Sequence, residues 1–105
     1  MKFLPCAILA LASLPMSASA FTECPGLTLT RIWTDVNGDF FIATGGDLNG
    51  RIPVAAYPVG AKPAVMVATA AYFARTKIKV RYKADGVSCG SARWDEEISS
   101  IGVND

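Results

Sequence analysis

Two of the three cysteines, Cys24 and Cys89, stand near opposite ends of the chain that would remain after removal of its first 20 residues, and this placement constrains the fold most. The third, Cys6, lies inside an apolar stretch that reads as a secretory signal peptide. Lys2 is the only charge before Glu23, residues 3–14 are largely apolar, and Pro15 ends the run. Ala18-Ser19-Ala20 then supplies the small residues of a cleavage site. A membrane-spanning helix needs about 20 consecutive apolar residues, and this run is shorter. The expectation is a signal peptide at 1–20, a single domain at 21–105, and no membrane span after cleavage. An exported chain meets an oxidising compartment, secreted or periplasmic, where two remaining thiols pair by default. Cys24 and Cys89 then close a loop of about 66 residues, worth roughly 4 kcal/mol in the chain-entropy model.

Removing the leader also changes the composition. Its 20 residues inflate the 51% hydrophobic content. The 105 residues less 20 leave 85, and without Lys2 the ten basic residues become nine, against nine acidic. A neutral domain gives no electrostatic reason to expect nucleic acid as a partner.

The remaining chain reads as β-rich. Residues 27–35 alternate apolar and polar with a change of phase near Arg31, the mark of a bulge or bend. Asn37-Gly38 predicts a tight hairpin turn into a strand at 39–45 that holds Phe40, Phe41 and Ile42. A second turn over residues 45–50 leads to a strand at 51–57, with Pro53 pointing to an edge or bulge. Pro63 suits the first turn of a helix running to Arg75. That helix, 63–75, is almost without charge, so it is either deeply buried or covered by a partner, and it is a candidate surface for a homo-oligomer.

Residues 77–83 give the clearest period. Ile78, Val80 and Tyr82 share one face, and Lys77, Lys79, Arg81 and Lys83 the other. A last strand or broken pair occupies 91–103. Three strands, a helix and two strands predict a mainly β, β-rich α+β fold: a small five-stranded OB-like barrel with its helix between strands 3 and 4. A plain α+β sandwich is the other arrangement this order allows.

Few residues carry chemistry. The chain has no histidine, which removes the usual general base and zinc ligand. Asp95, Glu96 and Glu97 are adjacent, so along a strand they point to opposite faces, and a solvated acidic patch accounts for them better than carboxylate catalysis. Asp35-Val36-Asn37-Gly38-Asp39 begins like a calcium loop, but Phe40 stands where glycine is needed and Gly46 where a bidentate glutamate belongs. The expectation is therefore a non-enzymatic protein with no metal and no cofactor. Lys77, Lys79, Arg81 and Lys83 form a candidate face for an anionic ligand. Two other readings account for the same cations: protection against edge pairing, or ion pairs with the 95–97 carboxylates. Trp33, Trp94 and the tyrosines could stack on a sugar ring, although in so small a domain they are expected in the core.

The order of elements over residues 27–82, with a fainter echo at 98–103, resembles the receptor-binding B subunits of bacterial A–B toxins of the subtilase-cytotoxin and pertussis-like type. The likeness is carried by Asp39-Phe40-Phe41-Ile42-Ala43-Thr44, Val54-Ala55-Ala56, Ala71-Tyr72-Phe73 in the helix, and Ile78-Lys79-Val80-Arg81-Tyr82. It implies an OB fold, a ring-forming oligomer and recognition of surface glycans. No cysteine pair matches the one that joins the family's second and third strands, and no sugar-contacting residue carries over. The sequence thus leads to an exported binding module for glycans or cell-surface ligands. The alternative is a protein-interaction or inhibitor domain acting through an edge strand or the apolar helix.

Overall fold

The computed structural model describes residues 20–103; the expected signal peptide at 1–20 lies, but for its last residue, outside the described residues. Among the described residues six strands and one helix follow in the order β1 (Thr22–Leu27), β2 (Arg31–Thr34), β3 (Phe40–Ala43), β4 (Gly50–Ile52), α1 (Lys62–Ala74), β5 (Ile78–Tyr82) and β6 (Ile98–Val103). They form two three-stranded antiparallel sheets, a first sheet ordered β1-β5-β6 and a second ordered β2-β3-β4.

The five-stranded OB-like barrel is not what forms, and neither is the OB fold that the toxin resemblance implies. The phase change near Arg31 marks a break between two strands of different sheets, where a single bent strand was expected. β1 pairs with β5, β2 pairs with β3, and no ladder joins β1 to β2. Pro53 lacks an N–H and stops β4 after three residues. The sheets meet instead at one parallel bridge, Arg51 to Glu97, where the Arg51 N–H donates to Glu96 O at 2.9 Å. A barrel needs a continuous ladder around its whole circumference, and one bridge leaves it open.

The core lies between the inner faces of the sheets and one side of the helix. Leu29, Ile42, Ile52, Ile78, Val80 and Tyr82 are at most 1% exposed, and Ala68 and Ala71 bring the helix against them. Burying a large apolar side chain fully stabilises by about 1.5–3 kcal/mol. These few residues therefore carry much of the folding free energy. Gly50 is the point of closest approach. A Cβ there would stand 2.7 Å from Ile98 Cδ1 and 3.2 Å from Ile42 Cγ1, so only glycine lets β4 lie against β6.

Pro63 sits in the first turn of α1, and Arg75 ends the helix in a left-handed conformation (φ 58°) with its N–H on Ala71 O. The helix buries one side only: Met66 and Phe73 are 69% and 74% exposed. Among the described residues no helix is long and apolar enough to cross a membrane. Cys24 and Cys89 form the expected disulfide, with Cα atoms 5.6 Å apart, tying β1 to the loop that follows β5. Both features are compatible with an extracellular or periplasmic setting.

Candidate functional site

The outer face of the second sheet follows from the hairpin turn. Gly38 adopts φ 104°, its N–H donates to Asp35 O at 3.0 Å, and the Asp35 N–H donates to Asp39 O at 3.1 Å. This register sets Ile32 opposite Ile42, facing the core, and therefore Trp33 opposite Phe41, facing out. Phe41 is in turn opposite Arg51. Directly opposed residues share a face, so Trp33, Phe41 and Arg51 form one row across the sheet. Trp94, from the segment before β6, lays its ring against Phe41 with centroids 5.7 Å apart.

Phe41 is thereby covered to 3% exposure, whereas Trp33 and Trp94 remain 53% exposed. Two half-open indoles thus flank a buried phenyl ring. Polar groups surround them. The Trp33 Nε1–H donates to Asp35 Oδ1 at 3.1 Å, which holds the ring in place. Arg51 lies 3.4 Å from Asp39 and 3.7 Å from Glu97, and its Nε–H donates to Asp95 O at 3.4 Å. Asp39 Oδ1 also accepts the Ala55 N–H at 3.0 Å. Beside Trp94 an open hollow of about 540 Å³ is lined by Arg31, Asp47, Leu48, Ala92 and Arg93. Arg93 pairs with Asp95 at 3.2 Å, while Arg31 has no acidic partner among the described residues.

The cationic strand is placed differently. Ile78, Val80 and Tyr82 of β5 are buried as the alternation requires, and the cations face outward. The Lys77 Nζ–H donates to Thr28 Oγ1 at 3.4 Å. Arg81 donates from Nε and Nη2 to Glu23 Oε2 at 3.1 and 2.6 Å, and its guanidinium stacks 4.2 Å above the Phe21 ring. Lys83 reaches Glu97 at 3.8 Å. Lys79 has no ion-pair partner among the described residues, but its charge acts on Glu23. The hydrogen bond from Arg81 holds the Glu23 carboxyl below the usual carboxylate range against the opposing effect of desolvation, helped by the charges of Arg81 and Lys79. Among the described residues Arg81 and Lys83 are thus ion-paired, Lys77 bonds only a hydroxyl, and Lys79 is the cation without a partner.

Of the adjacent carboxylates, Asp95 pairs with Arg93 and Glu97 with Arg51 and Lys83. Among the described residues no group of three or more histidine, cysteine or acidic side chains gathers as metal ligands would. The expectation that placed Trp33 and Trp94 in the core is corrected, since each is 53% exposed. Phe40-Phe41-Ile42 held the signal. Three consecutive apolar residues on a strand put one of them on the outer face, where something apolar has to cover it. No protein-family model, curated protein or solved structure matches this chain.

Proposed function

We propose that the protein is an exported, non-enzymatic binding module that takes a glycan on the Trp33–Phe41–Trp94 face. The supporting observation is the pair of indoles held half-open beside a ring of carboxylates and guanidinium groups. The aliphatic C–H face of a pyranose is apolar and slightly positive, and it complements the negative face of an indole. Arg31 and Asp47 line the hollow beside Trp94 and offer a donor and an acceptor for sugar hydroxyls. Conventional binding sites combine apolar contact area with a few directional polar groups in this way. The reading rests on this face alone and owes nothing to the toxin-like order of elements.

Glycan arrays followed by calorimetry test it at low and moderate salt. Binding is expected to fall about tenfold or more in Trp33→Ala and in Trp94→Ala, and to change little in Lys79→Ala. Failure to bind any neutral, sulfated or sialylated glycan would sink the proposal. So would a loss confined to the Lys79 variant, because it would move recognition to the cationic strand.

A further inference from the structure

The charges of this chain are unevenly spread. Between Asp47 and Asp85 there is no acidic residue, while Arg51, Lys62, Arg75, Lys77, Lys79, Arg81 and Lys83 all fall there. Of the nine cations beyond residue 20, Arg51, Arg81, Lys83 and Arg93 have an acidic partner. Among the described residues the other five have none, and three of those five stand at the ends of α1. Lys62 is its first residue, and Arg75 closes it with the guanidinium 5.9 Å from the centre of the Tyr72 ring. Lys77 follows, bonded only to the Thr28 hydroxyl. All three are exposed.

Between these cations the outer side of the helix is apolar. Its inner side, with Ala68 and Ala71, packs on β6 and β2. Pro63, Met66, Ala70 and Phe73 follow at spacings of three or four, which sets them in one row along the outer side. Met66 and Phe73 are the large exposed members of that row. Beside Met66 a hollow of about 360 Å³ opens between the helix and the β2–β3 hairpin, lined by Phe40, Val54, Val65 and Lys62. Val36, at the tip of that hairpin, is fully exposed. Phe40 and Phe41 point to opposite sides of β3, so this surface lies across the second sheet from Trp33 and Trp94.

A second copy is a poor occupant for this face. Antiparallel helices would set Lys62 against Arg75 of the other copy, and parallel ones would set like ends together, with no acid on either helix to offset them. Between Lys62 and Arg75 only Thr69 and Tyr72 carry polar groups, and neither belongs to the outer row, so little would fix the register of a protein partner. A lipid surface, apolar inside and anionic at its headgroups, suits the row and its flanking cations together. We propose that α1 is a docking helix for an anionic bilayer surface. It lies flat, because 13 residues reach about 20 Å, short of the roughly 30 Å needed to span. Met66 and Phe73 enter the boundary between headgroups and acyl chains, and Lys62, Arg75 and Lys77 meet the phosphates. An acyl chain has room in the hollow beside Met66. Such attachment is peripheral, reversible and weakened by salt. It leaves the glycan face free on the other side of the sheet.

The test uses the exported protein with its disulfide intact and loss of the leader confirmed by mass, because an apolar leader would bind lipid by itself. Vesicles of phosphatidylglycerol and phosphatidylcholine in equal parts are expected to sediment the protein at low salt, and pure phosphatidylcholine vesicles to leave it in solution. A cation near an anionic surface contributes about fivefold in affinity, so Lys62→Gln/Arg75→Gln/Lys77→Gln should lose about a hundredfold. Met66→Ser/Phe73→Ser should lose about tenfold or more. All five side chains are exposed, and circular dichroism checks that both variants stay folded. Lys79→Gln, on the β5 face, should change little. Phe73→Trp should shift its emission to shorter wavelength on vesicles, a shift that Trp33 and Trp94 of the unsubstituted protein should not show. No binding overturns the proposal, as does equal binding to both kinds of vesicle. Binding that neither multiple variant weakens, or that Lys79→Gln alone abolishes, overturns it too. A lipid-free dimer abolished by Met66→Ser/Phe73→Ser would give the face to a second copy instead. A photoreactive group in place of Phe73 that crosslinks to another protein in cells and never to lipid would give it to a protein partner.

Discussion

The outer faces of the two sheets are built from opposite materials. On the first sheet Lys79, Arg81 and Glu23 form a charged surface whose strongest cation is already held by two hydrogen bonds and an aromatic ring. On the second sheet Trp33 and Trp94 remain half-open, with a hollow beside them. A charge engaged at home has to give up a partner before it binds anything else, whereas an exposed indole loses only water. Incomplete burial of aromatic rings therefore supports the proposed binding face better than richness in charge supports the other.

The sheets also differ in what holds them. β1 joins the first sheet with covalent help from the Cys24–Cys89 disulfide, and no such bond touches the second. Cys24→Ala/Cys89→Ala is expected to have the largest effect, about 4 kcal/mol by the loop-closure estimate. Denaturant unfolding measures the total. Hydrogen exchange should show protection lost first at β1 and β5, with β2 and β3 less affected. Equal loss in both sheets would mean that they unfold as one unit and would erase this part of the contrast. Next in size is Gly50→Ala at the junction. The added methyl meets buried Ile98 and Ile42, and overpacking of this kind costs about 1–3 kcal/mol. A thermal melt of the variant checks it, and an unchanged midpoint would show that the sheets can separate freely.

What was readable in the residues follows the same division. The β5 alternation, the helix from Pro63 and the pairing of Cys24 with Cys89 depend on local period or on elimination, and each is present. β1 was not readable. Thr22–Leu27 contains Pro25 and Gly26, lacks alternation, and becomes a strand only because β5, more than 50 positions away, supplies its partner. The barrel failed for a related reason, since closure is decided by which edges meet, and no period in one segment encodes that. The proposed binding face was half readable. The alternation after Arg31 already put Trp33 opposite in sense to Ile32, but the resting place of Trp94 on Phe41 depends on how the irregular segment at 91–97 crosses the sheet.

Tyr82 links the two regions through the core. It belongs to β5, and its hydroxyl donates to Asn49 O at 2.8 Å, beside β4. Desolvation, with a smaller contribution from the Glu96 charge, pushes its phenol up to about 12. The neutral form is the one the fold favours, so this stabilisation is fully present below pH 10 and is lost as pH rises from 10 toward 12. Tyr82→Phe removes the hydrogen bond and should cost about 1 kcal/mol. It should also flatten the alkaline fall in stability. A variant that still loses stability just as steeply above pH 10 would assign that fall to other groups.

The smallest expected effect is on the charged face itself. The Glu23 carboxyl is held below its ordinary value chiefly by the hydrogen bond from Arg81. Its contribution is therefore present above about pH 4.5 and is lost as pH falls through the depressed value of the folded state. Both side chains are well exposed, at 37% and 42%, so solvent and salt screen the pair and the loss in Glu23→Gln should be slight. The substitution frees Arg81 while leaving β1 and the disulfide in place, which makes it the finest probe of the contrast between the faces. If the first face is inert because its charges are engaged, Glu23→Gln should gain weak, salt-sensitive affinity for a sulfated oligosaccharide while Trp33-dependent binding stays constant. Calorimetry at two salt concentrations reads both. No gain would show that the ion pair is not what keeps this face from binding.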